Sequence, residues 1–210
     1  GQMGSGIAQV AAQAGYKTVV REVSDAWNER GKAGMTKSLD KFVEKGKLTA
    51  ADRDAALQRL SYTTKVGDLK SCDIVIEAVT EDLELKNALW KELDALCGAD
   101  TIFASNTSSL SITEMSTFVR HPERFIGLHF FNPVPLMKLV EVVKTVRTAP
   151  APLADAGAWC MAIGKTVVSC GDSTGFVANR LLVPYMIDAI RVFEQGLASR
   201  DDIDNAMKFG

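Results

Sequence analysis

Short, continuously apolar runs alternate with stretches of helical periodicity along most of this chain, and that alternation limits its fold more than any single residue does. Residues 17–22, 73–79, 101–104, 125–131, 138–144 and 166–169 read as strands. Between them, residues 5–14, 82–96 and 151–163 carry apolar side chains at helical spacing, and 25–60 suit a long helix and a shorter one. The break in that last stretch falls at Gly46, and Thr49-Ala50-Ala51-Asp52 has the form of a capping box that restarts the helix. Strands that are apolar throughout, rather than at every second residue, are buried on both faces. The expected fold class is therefore α/β, a mostly parallel sheet covered by helices.

From Phe176 onward only helical periodicity remains, and Gly171-Asp172-Ser173-Thr174-Gly175 marks a change of domain. A length of 210 residues suits one domain and part of another. The chain opens inside a glycine motif and stops just after a helical pattern, so it reads as a fragment of something longer.

A hydrophobic fraction of 47% supports a packed core and excludes a disordered chain. The formal charge of -2 gives no general attraction to nucleic acid or to an anionic membrane. No apolar run approaches the roughly 20 residues of a membrane span. Cys72, Cys97, Cys160 and Cys170 stand far apart, without a CxxC pair or a histidine cluster. Neither a metal site nor a disulfide framework is indicated, and reduced thiols in a cytoplasmic compartment are the simpler reading.

Any phosphate site must then be local, and the N-terminus offers one. Gly1-Gln2-Met3-Gly4 has the spacing of the second and third glycines of GxGxxG, with a helix directly after it. Glycines there let a pyrophosphate approach backbone N–H groups at a helix N-terminus. Glu22 follows Gly4 by 18 residues at the end of the next strand, where a dinucleotide fold keeps its ribose-binding acid. A tight turn before an ordinary helix is the alternative reading of the glycines alone. A carboxylate at Glu22 repels a 2′-phosphate and so favours NAD over NADP, although Arg21 beside it weakens that preference.

Only two histidines are present. His121 lies in the polar stretch His121-Pro122-Glu123-Arg124 and reads as a surface loop residue. His129 interrupts an apolar strand just before Asn132-Pro133 ends it, which places an imidazole near the strand end where α/β sheets hold their chemistry. A satisfied core histidine is the alternative. Glu141 sits alone in the apolar run Leu139-Val140-Glu141-Val142-Val143, and a lone buried carboxylate is costly unless paired. The two suggest each other as partners.

Four ordered motifs carry a resemblance that spans essentially the whole chain: Asn106-Thr107-Ser108-Ser109-Leu110, Gly127-Leu128-His129-Phe130-Phe131-Asn132-Pro133, Met137-Lys138-Leu139-Val140-Glu141-Val142, and Asp172 through Arg180. The sequence closely resembles the L-3-hydroxyacyl-CoA dehydrogenase family, in particular its 3-hydroxybutyryl-CoA dehydrogenase-like members. The resemblance implies an NAD-binding Rossmann-like domain over residues 1–173 whose first strand precedes residue 1. It also implies that residues 174–210 begin an all-helical dimerisation and substrate domain.

By motif, the catalytic residues fall on His129, Glu141, Ser108 and Asn179. Cofactor contacts fall on Gly1, Gln2, Met3, Gly4, Glu22, Glu81, Lys86, Ser108 and Asn132, and coenzyme A contacts on Ser38, Lys45 and Ser108. No metal is implied. Independently, Lys37, Lys41 and Lys45 recur every four residues as a basic helical face, which is either a phosphate-binding stripe or simply a solvated surface. Without the resemblance, Ser108 would read as the N-cap of a helix over 109–115 and Asn179 as a polar residue on a domain-joining helix. A serine-hydrolase reading of Ser108 fails for want of a GxSxG elbow.

The sequence departs from the family at Glu22, where most members carry aspartate, and at both ends. A chain lacking the family's terminal segments is expected to miss a central strand of its sheet and the closing helices of its acyl pocket. The implied activity is NAD-dependent interconversion of L-3-hydroxyacyl-CoA and 3-oxoacyl-CoA, in β-oxidation or in acetoacetyl-CoA reduction, by a cytoplasmic homodimer. A non-catalytic, crystallin-like relative and a module of a multifunctional fatty-acid oxidation protein are the alternatives. Retention of Ser108, His129, Glu141 and Asn179 together argues against the first.

Overall fold

The computed structural model describes residues 1–210. Helix α1 (Gln2–Gln13) leads to strand β1 (Thr18–Arg21), and α2 (Asp25–Glu44) and α3 (Ala50–Gln58) follow. Ser24 caps α2, and Thr49 caps α3 where the sequence suggests a restart: its hydroxyl accepts from the Asp52 amide at 3.0 Å and donates to the Asp52 carboxylate at 2.6 Å. Strand β2 (Leu60–Thr63) comes next, then β3 (Ile74–Glu77), α4 (Leu83–Leu96), β4 (Ile102–Ser105) and the short α5 (Ile112–Ser116). The chain continues through β5 (Phe125–Phe130), β6 (Leu139–Lys144), α6 (Pro150–Ala162), β7 (Thr166–Gly171), α7 (Ala178–Glu194) and α8 (Arg200–Phe209).

Two of these features differ from the sequence expectation. Strand β2 was not expected, and the helix expected to run to residue 60 ends at Gln58. The strand begins directly after the last turn of α3 with no glycine or proline between them, and Leu60 is buried while Ser61 is exposed. The strands also form two sheets rather than one. β1 pairs in parallel with β2, and a separate five-stranded sheet has the order β3-β4-β5-β6-β7. Within the larger sheet only the β5–β6 pair is antiparallel, with His129 directly opposite Glu141.

Side chains alternate across that sheet with a period of two and divide it into two faces. Ile126, Leu128, Val140 and Val142 pack with Ile7 and Val10 of α1 and with Ala156 and Cys160 of α6. On the opposite face Val75, Phe103, Phe125 and Val143 pack with Trp90 and Leu93 of α4 and Ile112 and Met115 of α5. Glu77, Ser105, Gly127, His129 and Glu141 continue this second face, so its apolar floor becomes polar along one rim.

At Gly127 a Cβ would lie 2.8 Å from the Val143 Cβ and 3.0 Å from Ile112 Cδ1. The bare backbone lets α5 close on the sheet beside His129. Gly127→Ala should therefore destabilise the protein by about 1 to 3 kcal/mol through overpacking, measured as a lowered denaturant midpoint with unchanged slope.

All four cysteines are free. Burial pushes the Cys160 thiol up to about 12, and no part of Cys160 is exposed. Thiol labelling of the native protein near neutral pH should spare Cys160, and unfolding should release it, as peptide mapping would show.

Candidate active site

The centre of the polar rim is the pair His129–Glu141. Nδ1 of the ring lies 2.7 Å from Glu141 Oε2, and the two side chains are 7% and 1% exposed. The other carboxylate oxygen, Oε1, accepts backbone hydrogen bonds from Val177 at 2.9 Å and Ala178 at 2.8 Å. These amides belong to the start of α7, where free N–H groups and the helix dipole both favour a negative charge. One carboxylate thus orients the imidazole and anchors the first turn of α7, which carries Asn179. The rings of Phe131 and Phe176 flank His129 at 4.5 and 5.5 Å between centroids and leave little freedom for rotation.

The loop after β4 closes one side. Asn106 donates its amide to the Glu77 carbonyl at 2.8 Å, and its side chain accepts from the Phe130 amide at 2.9 Å, tying the ends of three strands together. Thr107 turns the loop by accepting from the amides of Ser109 and Leu110. The N-cap of α5 is Ser111, whose hydroxyl accepts from the Glu114 amide, so the alternative reading of Ser108 as the cap of this helix does not hold. Released from capping, Ser108 is held by Glu81, which accepts from its amide at 2.8 Å and from its hydroxyl at 3.3 Å.

Burial pushes the Glu81 carboxyl up, but the Ser108 amide, the Thr107 hydroxyl and the Lys86 ammonium together bring it below the ordinary carboxylate value of 4.5. The contacts it makes are therefore present above that value and are lost only as pH falls through the lower folded one. Lys86 is 1% exposed. Its ammonium is taken by Glu77 at 2.6 Å and Glu81 at 3.2 Å, so it reaches the surface only through Glu81.

The glycine-rich start forms the other side. α1 begins at Gln2 with Gly1 as its N-cap, and the Gln2, Met3 and Gly4 amides have no partner within the helix. A Cβ at Gly4 would meet only Ala78 Cβ, at 3.9 Å, so the backbone here stands open to an anion. Glu22 lies just beyond β1 with its carboxylate against the Gly1 nitrogen, which places the acid beside the glycines. These residues fit a dinucleotide: open amides for its phosphates and a carboxylate for a ribose.

Gln2 donates to the Asn132 side chain at 3.2 Å, which joins this region to the end of the His129 strand. A Cβ at Gly6 would come 2.8 Å from the Val134 Cβ, so the loop after Asn132 packs tightly on α1. Lys165 fastens the same loop by donating to the carbonyls of Val134 and Met137.

A cleft of about 580 Å³ runs between α1, α2 and this loop, with Gln2, Ser5, Gly31, Ser38 and Asn132 in its lining. Ser38 is thus brought toward the site. Lys45 is not in that lining and stands exposed as the C-cap of α2. Lys37 and Lys41 share an open groove with Glu29, Asp40 and Glu44, so that face carries mixed charge. His121 is half-exposed and pairs with Glu123, as expected of a loop residue. Sequence reasoning missed Asn106 and Glu77 as organisers of the site. Glu77 could have been found by the argument applied to Glu141, as a lone carboxylate closing the apolar run Ile74-Val75-Ile76.

Residues 1–173 match the model of the 3-hydroxyacyl-CoA dehydrogenase NAD-binding domain, and residues 175–210 match that of the 3-hydroxyacyl-CoA dehydrogenase C-terminal domain. The chain belongs to the 3-hydroxyacyl-CoA dehydrogenase family. Its likeness extends along its whole length to individual relatives. It is 46% identical to the mitochondrial hydroxyacyl-coenzyme A dehydrogenase of Rattus norvegicus, over all of this chain and 69% of that protein. It is 45% identical to a probable 3-hydroxybutyryl-CoA dehydrogenase of Deinococcus radiodurans, over all of this chain and 75% of that protein.

Among solved structures, the (S)-3-hydroxybutyryl-CoA dehydrogenase of Ralstonia eutropha superposes with a TM-score of 0.98 at 44% identity. The match covers all of this chain and 74% of that one. As in the family, NAD is the cofactor, and the Rossmann-like expectation for the sheet holds. No helix is long and apolar enough to cross a membrane.

Proposed function

We propose that the chain interconverts L-3-hydroxyacyl-CoA and 3-oxoacyl-CoA, with His129 moving the proton and Glu141 holding the ring. The observation that carries this reading is the buried 2.7 Å contact between His129 Nδ1 and a carboxylate whose other oxygen already accepts two amides. An acceptor at Nδ1 fixes the hydrogen there and leaves Nε2 with its lone pair for substrate. In the oxidising direction Nε2 takes the proton of the C3 hydroxyl, and Glu141 stabilises the imidazolium that forms. In the reducing direction the ring returns that proton. Bound NAD supplies the acceptor for the C3 hydride, and NADH its donor.

Ser108 and Asn179 are assigned to the reacting oxygen and the thioester carbonyl, which they would hold in line by hydrogen bonding. The open amides of Gly1 to Gly4 suit the pyrophosphate, Glu22 the ribose hydroxyls, and Glu81 and Asn132 the rest of the cofactor, with the buried Lys86 acting on it through Glu81. Ser38 and Lys45 are assigned to coenzyme A, and the cleft between α1 and α2 supports Ser38 in that role.

The same reading divides the chain into an NAD-binding domain over 1–173 and a helical domain beginning at 174. It further assigns a homodimer, whose interface would use apolar residues such as Leu181, Ile190 and Phe193, all exposed on α7. Four unbridged cysteines agree with the reducing interior of a cytoplasm. The experiment is NADH consumption with acetoacetyl-CoA, run beside free acetoacetate and beside NADPH. Turnover should require the thioester and prefer NADH, and no consumption with acetoacetyl-CoA would reject the assignment.

A further inference from the structure

Glu77 holds the centre of a buried network that the proton-transfer chemistry does not use. Its side chain is 1% exposed at the end of β3, directly opposite Ser105 in the register of β3 and β4. Oε1 accepts from the Val79 amide at 2.7 Å and from the Lys86 ammonium at 2.6 Å, and Oε2 accepts from the Ser105 hydroxyl at 2.7 Å. Lys86 bridges to Glu81 at 3.2 Å, and Glu81 in turn holds the Thr107 hydroxyl and the Ser108 amide, each at 2.8 Å. Ser105 reaches the same loop by accepting from the Thr107 amide at 3.3 Å.

Two routes therefore run from one buried carboxylate to the loop that carries Ser108, one through Lys86 and Glu81, the other through Ser105. Burying this charge is costly, and a fold that needed only apolar packing here would do as well with a hydrophobic residue. What the charged network does provide is a second anchor for Glu81, which is itself 42% exposed: the loop holds its Oε1, and Lys86 holds its Oε2 from the sheet side.

We propose that Glu77 is a positioning residue for the cofactor side of the active site, acting through Lys86 and Ser105 to set Glu81 and the Ser108 loop. This rests on the assignment of Glu81 and Ser108 to the cofactor made above. Glu77→Gln keeps the shape and an acceptor for Val79, but it removes the charge that holds Lys86. The ammonium then leans on Glu81 as its one remaining charged partner, beside the Val79 carbonyl at 3.4 Å, and its pull on Glu81 Oε2 disturbs the bonds that Oε1 makes to Thr107 and Ser108.

The test is NADH affinity by fluorescence titration, together with steady-state kinetics and thermal melting, for the wild type, Glu77→Gln and the milder Ser105→Ala. Glu77→Gln should weaken NADH binding and lower kcat by about ten-fold each, while KM for acetoacetyl-CoA stays within about two-fold. Ser105→Ala should move NADH affinity in the same direction by about three-fold. A role confined to stability would lower the melting temperature and leave the NADH affinity of the folded protein unchanged, and that result in Glu77→Gln overturns the proposal. Should Glu77→Gln fail to fold, unchanged NADH affinity in Ser105→Ala overturns it equally. A wild type that binds NADH without turning over acetoacetyl-CoA would reject the assigned reaction, while the affinities would still judge Glu77.

Discussion

His129→Ala should lower kcat for acetoacetyl-CoA reduction by about 10³-fold, within the range that positioned acid–base groups contribute. The only other histidine, His121, is half-exposed, bound to Glu123 and outside the strand, four residues before the start of β5. No second imidazole is therefore available to take over. NADH affinity should stay close to that of the wild type, because the amides of α1, Glu22 and Glu81 lie on other elements. Stability should fall by about 1 to 3 kcal/mol, because one oxygen of a buried carboxylate loses its donor. Removing the ring leaves Glu141 buried, but two backbone amides still satisfy one of its oxygens. The check is steady-state kinetics beside a fluorescence titration of NADH, and a loss of turnover that follows a loss of NADH binding would argue for a different role.

Replacing Glu141 should affect both stability and rate, because the carboxylate serves both. In Glu141→Ala three donors lose their acceptor together: the His129 ring and the amides of Val177 and Ala178. Glu141 has no exposed surface, so water cannot easily replace it, and breaking a buried pair in this way costs about 3 to 5 kcal/mol. Chemical denaturation should show a correspondingly lower midpoint.

Glu141→Gln separates the two effects. Its carbonyl can still accept from the two amides, so most of the stability returns. Its NH₂ group then faces Nδ1 as a donor, which moves the ring hydrogen to Nε2 and removes the lone pair that receives the substrate proton. The rate should remain down by about 10²-fold or more in a protein that melts near the wild type. A glutamine variant with both stability and rate near normal would show that the carboxylate is not needed to orient the ring.

The parts of this site that were legible in the sequence were the ones that violate a local pattern. His129 and Glu141 stand out because each is the single ionisable group in an apolar strand, and burial makes such groups seek partners. What one dimension cannot supply is register: only the antiparallel β5–β6 pairing puts the two directly opposite each other. Glu77 violates the pattern in the same way, yet its partners Lys86 and Ser105 come from α4 and β4, and each looks ordinary in its own segment.

Ser108 was harder, because the run from Thr107 to Ser111 offers four hydroxyls. Thr107 and Ser111 take the capping work, which only the path of the loop decides. Strand β2 was hidden by continuity with α3, and its pairing with β1 spans the whole of α2 and α3. The glycine pair and Glu22 were readable because their spacing reflects a fixed unit of helix and strand.

The most direct test of the central claim, that His129 moves the proton in the reaction, is the solvent deuterium isotope effect on the single-turnover rate of NADH oxidation by acetoacetyl-CoA. It would be measured in the wild type and in His129→Ala. Reduction needs the ring to deliver a proton to the C3 oxygen, so the wild-type rate should slow in deuterium oxide. His129→Ala should be slower in both solvents and should lose that additional slowing. The same isotope effect persisting in the variant would contradict the assignment of the proton to His129.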